Sequence, residues 1–191
     1  RRGGIIAADY KNFRFKTFMV NSEEVFGFKK GLGIGGSSDD HIAGASGEIA
    51  LLSERVKLKT IYASGGEEGG GYSTYCSGGN KRGNVLGLLL TSDFFNNKLT
   101  TEAELDFSHY DADTTDEFSQ ENDKAWRLGA GGSWNTYSYG IFYEHLGADY
   151  QVISNPYVQS NMEGGGVNVA ASFPSQNASF AFTRYRDNVD D

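Results

Sequence analysis

The chain has 191 residues, of which 26 are glycine, two are proline and 14% are aromatic, and its formal net charge is −8 at pH 7. This length is sufficient for one domain with a sizeable core. The acidic balance argues against nucleic acid as a partner, because phosphate recognition favours an excess of lysine and arginine.

Strict alternation of apolar and polar residues predicts β-strands along most of the chain. The clearest case is 99–107, LTTEAELDF, in which leucine, threonine, alanine and phenylalanine alternate with threonine and acidic residues. Side chains at a period of two point to opposite faces of a sheet, so each such strand has one apolar and one polar face. We predict an all-β fold, an antiparallel up-and-down meander of about ten strands forming one segment over 1–191.

Five hairpins are predicted, because pairs of alternating segments flank short turns rich in asparagine, serine and proline. The hairpins cover 10–35, 43–64, 84–109, 125–146 and 165–186, with turns at 21–24, 53–54, 95–98, 135–136 and 174–177. On the other side, the connections 65–83, 111–124 and 147–164 are long and polar, and 36–42 is of modest length. Short turns are therefore expected on one rim of the sheet and long loops on the other.

This arrangement of short turns and long polar loops resembles the Gram-negative outer-membrane β-barrel proteins of the porin-like superfamily. The resemblance extends over nearly the whole chain and rests on the hairpin pattern. It implies a location in the cell outer membrane, short turns in the periplasm, long loops outside the cell, and contact with membrane lipid and lipopolysaccharide. No apolar run reaches the roughly 20 residues of a transmembrane helix, and the N-terminal RRGGIIAADY has no signal-peptide pattern.

Counting strand directions predicts that the chain is a fragment of a wider barrel. The first predicted strand, 10–20, ends in a short turn and so begins on the long-loop rim, and 178–186 finishes on that same rim. Complete barrels of even strand number, by resemblance, keep both termini on the short-turn side. We therefore expect the outermost strands to pair with the remaining strands of a larger barrel or with other subunits.

The apolar faces of the strands are predicted to meet lipid. Membrane barrels carry girdles of aromatic residues at both edges of their apolar band. Four aromatic residues near strand ends are assigned to these girdles, namely Tyr62, Trp126, Trp134 and Tyr137. The alternative is that the same faces form the interior of a soluble β-sandwich.

The opposite faces are predicted to line a wet lumen with charged side chains. These are Arg14, Lys16, Arg55, Lys57, Lys59, Glu102, Glu104, Asp106, Arg127 and Glu144. A basic wall over 55–59 and an acidic wall over 102–106 are expected two strands apart, where they would select permeating solutes by charge. The alternative is that these side chains form cross-strand ion pairs.

Carboxylates at alternate positions in the loop after 109 suggest a calcium-like site. Its candidate ligands are Asp111, Asp113, Asp116 and Glu117. The spacing departs from an EF-hand loop, so a solvated acidic loop with a loosely bound divalent cation is the default, and no other cofactor is predicted. The lone Cys76 gives no disulfide framework and is interpreted as a free loop thiol, or as a bridge to chain elsewhere.

The sequence offers little support for catalysis. His41, His109 and His145 are scattered, and no catalytic triad is suggested by spacing. The glycine-rich stretches GLGIGG and GGEEGGGY lie beside strands and open no helix, so they do not indicate a nucleotide site. We therefore predict no enzymatic activity.

Three functions are consistent with these patterns. The leading expectation is a segment of an outer-membrane β-barrel that forms the wall of a pore, or the membrane conduit of a transport or secretion machine. The second is a structural anchor whose long loops bind a partner or lipopolysaccharide. The third is a soluble β-sandwich binding domain.

Overall fold

The computed structural model describes residues 3–21, 41–67, 80–117, 120–152 and 159–187. In these residues the chain forms ten β-strands. The strands are β1 (Gly3–Tyr10), β2 (Phe13–Asn21), β3 (His41–Leu51), β4 (Val56–Glu67), β5 (Lys81–Phe94), β6 (Leu99–Asp111), β7 (Glu121–Trp134), β8 (Tyr137–Leu146), β9 (Met162–Phe173) and β10 (Gln176–Asp187). None of the described residues belongs to a helix long and apolar enough to cross a membrane.

All ten strands belong to one sheet, in which each strand pairs with its neighbours in the chain, in the order β1 to β10. Every pair is antiparallel. The predicted all-β, up-and-down meander is therefore confirmed. Within the described residues, β1 and β10 each pair on one side, so the sheet is open and these two strands are its edges.

Four of the five predicted hairpins form at their predicted places. Their turns cover 52–55, 95–98, 135–136 and 174–175, so the turn predicted at 53–54 is longer by two residues and the one predicted at 174–177 is shorter by two. The two four-residue turns, 52–55 and 95–98, share one conformation, since each has positive φ at its first three residues. Short polar turns thus connect β3 to β4, β5 to β6, β7 to β8 and β9 to β10 at one rim of the sheet.

The prediction for the first hairpin is wrong. The chain reverses at 11–12, and Tyr10 on β1 lies directly opposite Phe13 on β2. Lys11 takes φ of 53° in this turn, and the Asn12 side-chain amide donates to the Ala50 carbonyl at 3.0 Å. The two polar residues therefore serve as a tight turn between two aromatic residues. The predicted partner strand, 25–35, lies outside the described residues.

Each hairpin extends two residues beyond the hairpin before it. Phe13 at the first turn lies opposite Ile49, whereas the second hairpin continues to Leu51. Val56 in turn lies opposite Ser92, and the third hairpin continues to Phe94. The fourth and fifth hairpins repeat the step, ending at the pairs Trp134–Tyr137 and Phe173–Gln176. The stagger is therefore uniform across the sheet.

A repeated backbone hydrogen bond secures each step. In each case the penultimate residue of the strand that extends further donates its N–H to a carbonyl in the turn of the preceding hairpin. The four bonds are Ala50 to Asn12 at 2.8 Å, Asp93 to Arg55 at 2.7 Å, Ser133 to Asn97 at 2.8 Å and Ser172 to Thr136 at 2.9 Å. Because strands rise about 3.4 Å per residue and lie about 4.8 Å apart, a two-residue step every two strands corresponds to a strand tilt of about 35°.

The register sorts the side chains onto two faces. One face, called here the apolar face, carries the residues whose alternation predicted apolar surfaces, and Phe15, Leu58, Leu88, Leu105, Leu128, Ile141, Val167 and Phe182 are examples. No second layer of described residues covers it, and Leu128 is 54% exposed, Ile141 58% and Phe180 62%. The opposite face, called the charged face, is treated below.

The charged face is the more shielded of the two. The buried strand residues Ser108, Tyr110 and Ala125 lie on it, as do the buried glycines Gly83 and Gly87. Neighbouring side chains and a loop segment contribute to this shielding. A Cβ added at Gly87, for example, would meet the side chains of Asp106 and Ile61, so crowding on this face favours small residues.

Candidate functional site

The charged face holds nine of the ten residues predicted to face a lumen. They are Arg14 and Lys16 on β2, Lys57 and Lys59 on β4, Glu102, Glu104 and Asp106 on β6, Arg127 on β7 and Glu144 on β8. The tenth, Arg55, lies in the turn 52–55 at the short-turn rim. Register therefore places the predicted charges on one surface, with this single exception.

One row of directly opposed residues carries charges of alternating sign across the sheet. From β1 to β8 the row is Asp9, Arg14, Glu48, Lys59, Leu89, Glu104, Arg127 and Glu144. Opposite charges placed directly across neighbouring strands attract each other, whereas like charges there destabilise a sheet. Alternation in the row therefore accommodates many charges on one surface.

Arg14 forms the ion pairs at the β1 side of this row. Its Nε lies 3.0 Å from Asp9 Oδ1, and its Nη1 lies 3.4 Å from Glu48 Oε1. The Arg14 and Asp9 side chains are more than half exposed. Solvent screens such pairs, so they shape the surface potential more than they stabilise the fold.

Arg127 is the centre of a larger cluster on β6, β7 and β8. Its Nη1 donates to Glu144 Oε2 at 2.8 Å, and its Nε lies 3.4 Å from Glu102 Oε1 without hydrogen-bond geometry. The guanidinium lies over the Phe142 ring, 4.5 Å from its centroid, a cation–π arrangement. The Tyr185 hydroxyl donates to Glu144 Oε1 at 2.7 Å, which joins β10 to the cluster.

The predicted basic and acidic walls face each other across one strand. Lys57 and Glu102 both lie opposite Thr91 of β5, on its two sides, and Lys59 and Glu104 flank Leu89 in the same way. Since neighbouring strands are about 4.8 Å apart, the two walls are separated by about 10 Å at the backbone. Their fixed charges produce a field along the surface of the charged face.

Residues 147–152, called here the inward segment, fold back over the charged face after β8. Gly147 N–H donates to the Lys124 carbonyl at 3.1 Å. Asp149 N–H donates to Asp123 Oδ2 at 2.7 Å, and Gln151 N–H donates to Ser108 Oγ at 3.4 Å. These bonds attach the segment to β6 and β7 near the long-loop rim.

Tyr150 is the side chain that the inward segment buries. It is 6% exposed, and Ser108 and Ala125 on the strands are 4% and 7% exposed. Burial raises the pKa of the Tyr150 phenol, and the negative charges of Asp106 and Glu104 raise it further. Tyr150 therefore lies next to the acidic wall as a neutral phenol. Sequence reasoning missed this contact, although an aromatic residue in a polar loop was a signal for it.

The acidic loop after β6 uses its carboxylates to hold its own backbone. Asp111 Oδ1 accepts from Asp113 N–H at 3.1 Å. Asp113 Oδ1 accepts from the Thr115 hydroxyl at 2.6 Å and from the Thr115 N–H at 3.0 Å, and these bonds lower the pKa of Asp113. In the part of the chain that the structure describes, no three acidic, histidine or cysteine residues are placed to hold a metal ion. The predicted calcium ligands Asp111, Asp113, Asp116 and Glu117 are therefore not grouped as a cluster of three or more, and a loosely bound divalent cation stays a prediction.

The four predicted girdle residues lie on the apolar face. Trp134 and Tyr137 form the last pair of the fourth hairpin, and they are 61% and 50% exposed. Tyr62 and Trp126 lie toward the opposite rim, where Trp126 stacks on His145 with ring centroids 5.8 Å apart. Aromatic residues therefore lie near both ends of the apolar face.

Beyond Trp126, toward the long loops, the apolar face becomes polar. Lys124 lies two residues beyond Trp126 on β7, and His145 Nδ1 is 3.3 Å from Glu163 Oε2. Arg186 forms an ion pair with the same Glu163. Of the other two histidines, His109 contacts Asn122, and the side chain of His41 lies outside the described residues, as does Cys76.

The two faces define what this arrangement can do chemically. The charged face presents fixed charges of both signs to solvent, and the apolar face presents leucine, valine and aromatic side chains without a covering layer. The chain matches no protein-family profile, no curated protein and no solved structure. We therefore infer function from the two faces alone.

Proposed function

We propose that this chain forms part of the wall of a transmembrane β-barrel in an outer membrane. It acts there as a passive pore or as the membrane conduit of a larger transport or secretion machine. The observation that carries this proposal is the uncovered apolar face of a single ten-stranded sheet. Soluble proteins rarely expose contiguous apolar patches above about 300–600 Å², whereas a barrel wall needs such a surface to meet lipid.

The height of the apolar band supports a membrane setting. On β5 it runs from Leu86 to Phe94, and on β7 from Trp126 to Trp134. Eight steps of about 3.4 Å, inclined at the tilt of about 35°, give a height of about 22 Å, close to the 25 Å apolar band of outer-membrane barrels. The girdle residues lie near the two ends of this band.

The uniform stagger supports closure into a barrel. Closing a sheet requires tilted strands and a fixed offset in register, and the tilt in known barrels is about 35–45°. Two residues per hairpin give a tilt within that range. The stagger of the open sheet is therefore compatible with a barrel wall, which supports the proposal.

The charged face supports the role of an aqueous lining. Alternation along every strand in a membrane barrel places polar residues toward the interior, where charges tune selectivity. The basic wall on β4 and the acidic wall on β6 would set that selectivity. A soluble β-sandwich would need a second sheet to cover the apolar face, and the described strands form one sheet.

A structural anchor for the long loops is the second candidate function. The inward segment and the Arg127 cluster favour it, because both occupy space on the charged face. In that case the lumen would be filled by ion pairs and by Tyr150.

Reconstitution separates these functions. The purified chain is refolded into phosphatidylcholine vesicles, and conductance is measured in planar bilayers made from them. Discrete conductance steps are expected for a pore, and insertion without conductance would indicate the anchor. Recovery as a stable monomer in buffer without detergent would contradict both.

A further inference from the structure

The two edges of the sheet are complementary to each other. β1 runs from the long-loop rim to the short-turn rim, and β10 runs in the reverse direction. A β10 edge therefore meets a β1 edge as an antiparallel pair, the geometry of every other pair in the sheet. The side chains of both strands are exposed along their length.

The repeated stagger predicts the register of such a pair. At each existing step, the first residue after a hairpin turn lies opposite a residue of the next strand that is two positions before the end of that strand. Tyr137, the first residue of β8, for example, lies opposite Ala171, and β9 ends at Phe173. Applied to β10 and β1, the rule places Gln176 opposite Ala8. Ala178 then lies opposite Ile6, and Phe180 lies opposite Gly4.

Side-chain sizes match in this register. Phe180 would lie across from Gly4 and Ile6 across from Ala178, so each large side chain would have a small partner. Phe180 is 62% exposed and Ile6 is 70% exposed in the open sheet. A Cβ added at Gly4 would meet no atom within 4 Å, which leaves open space over that glycine. An aromatic ring placed across from a strand glycine covers its exposed backbone. All three pairs lie on the apolar face.

We propose that β10 of one copy pairs with β1 of a second copy in this register, so that the chain assembles head to tail into a closed barrel. This inference rests on the proposed function. Barrels of eight strands are filled by their own side chains, whereas those of about 16–18 leave an aqueous channel. The described strands of two copies number twenty, a width at which the charged faces would line water. A head-to-tail contact that closes leaves no edge exposed.

Disulfide trapping tests the pairing. In a Cys76→Ser background, a chain carrying Ile6→Cys is refolded with a chain carrying Ala178→Cys in vesicles and oxidised. The two positions fall at the close, non-hydrogen-bonded type of pair, as do Val56 and Ser92 next to the Asp93–Arg55 bond. We expect a disulfide joining the two different chains, read by mass spectrometry of the linked peptides.

A register control uses Ile6→Cys with Phe182→Cys, four residues further along the same face. The separation of about 14 Å is too long for a disulfide, so no linked dimer is expected. A chain that carries both Ile6→Cys and Ala178→Cys tests whether the strand that pairs with β1 belongs to a second copy or to the same chain. Linked dimers are expected, and a disulfide within a monomer would overturn the proposal by showing that the chain closes on itself. Absence of any disulfide between these positions would overturn it as well.

Insertion is measured separately, by protection of the refolded chain from protease in the same vesicles. A chain that inserts and forms no disulfide overturns the pairing and leaves the membrane function standing. A chain that forms the disulfide without inserting supports the pairing and overturns the membrane function. Phe180→Ala is expected to lower the yield of linked dimer several-fold by uncovering Gly4, with Phe173→Ala, away from the edge contact, as the matched control.

Discussion

Arg127 lies directly opposite Glu144 in the register of β7 and β8, and its Nη1 donates to Glu144 Oε2 at 2.8 Å. The same arginine contacts Glu102 on the other side, so a single guanidinium separates two carboxylates. Its side chain is 41% exposed and that of Glu144 is 17% exposed. The pair is therefore partly shielded, unlike the exposed Arg14–Asp9 pair.

The Arg127–Glu144 pair is expected to show measurable coupling. In a double-mutant cycle with Arg127→Met and Glu144→Gln, the coupling free energy should be about 0.5–1 kcal/mol, because solvent still reaches both side chains. The measurement is the free energy of unfolding in vesicles. The same cycle on Arg14 and Glu48, in which Arg14 Nη1 lies 3.4 Å from Glu48 Oε1, should give a smaller coupling free energy. Equal coupling in both cycles would contradict a special role for the Arg127 cluster.

Substitution by arginine should distinguish the two faces of β6. Leu105 lies on the apolar face between Leu88 and Trp126, so Leu105→Arg should destabilise the chain folded in vesicles by about 2–4 kcal/mol, measured as the free energy of unfolding. The matched change Thr100→Arg, on the charged face, should cost about 1 kcal/mol through loss of the hydroxyl bond to the Gly131 carbonyl. Equal costs at the two sites would remove the membrane assignment.

The basic wall should influence ion selectivity. Replacing Lys57 and Lys59 by glutamine removes positive charge facing the acidic wall, so the reversal potential across a salt gradient should shift toward cation selectivity. Arg55→Gln is the matched control, because Arg55 lies in a turn at the rim. An equal shift from the control, or no shift from the lysine pair, would mean that these lysines do not line the conducting path.

Removing the Tyr150 ring should widen the water-filled lumen of the proposed pore. Tyr150→Ala takes away the side chain that the inward segment buries beside the acidic wall, so single-channel conductance should rise. Tyr150→Phe keeps the ring and should retain the native conductance. If the alanine variant conducts like the native chain, the inward segment does not narrow the path.

Alkaline pH should release the inward segment. The pKa of Tyr150 is raised in the folded chain, so the unfolded chain loses the phenol proton at a lower pH. The contribution of the neutral phenol to stability is thus fully present below about pH 10 and is lost as pH rises above it. Phenolate absorbance, followed as pH rises, should show one tyrosine that loses its proton at a higher pH than an ordinary tyrosine, and this step should be missing in Tyr150→Phe. Identical titration curves for the two chains would contradict this.

The sequence by itself determined nine of the ten described strands, their faces and the positions of four of the turns, but it missed β1. Period-two alternation is a local property, so Leu105 and Glu104 could be assigned to opposite faces without knowing their neighbours. The prediction of the first hairpin failed because Lys11 and Asn12 were assigned to a strand, although these two consecutive polar residues shift the alternation by one position between Tyr10 and Phe13. The charged residues of the site followed from the same alternation, except Arg55, which the turn removes from its strand.

Only the tertiary structure decided which residues lie opposite each other. A register slip of one residue exchanges the two faces, but a slip of two residues leaves both faces unchanged, so alternation is blind to it. The two-residue stagger is the same beside turns of two and of four residues, and bonds between hairpins such as Ser172 N–H to the Thr136 carbonyl hold it. The alternating charge row, the Arg127 cluster and the position of Tyr150 beside the acidic wall all depend on that register. They became visible only when the strands were paired.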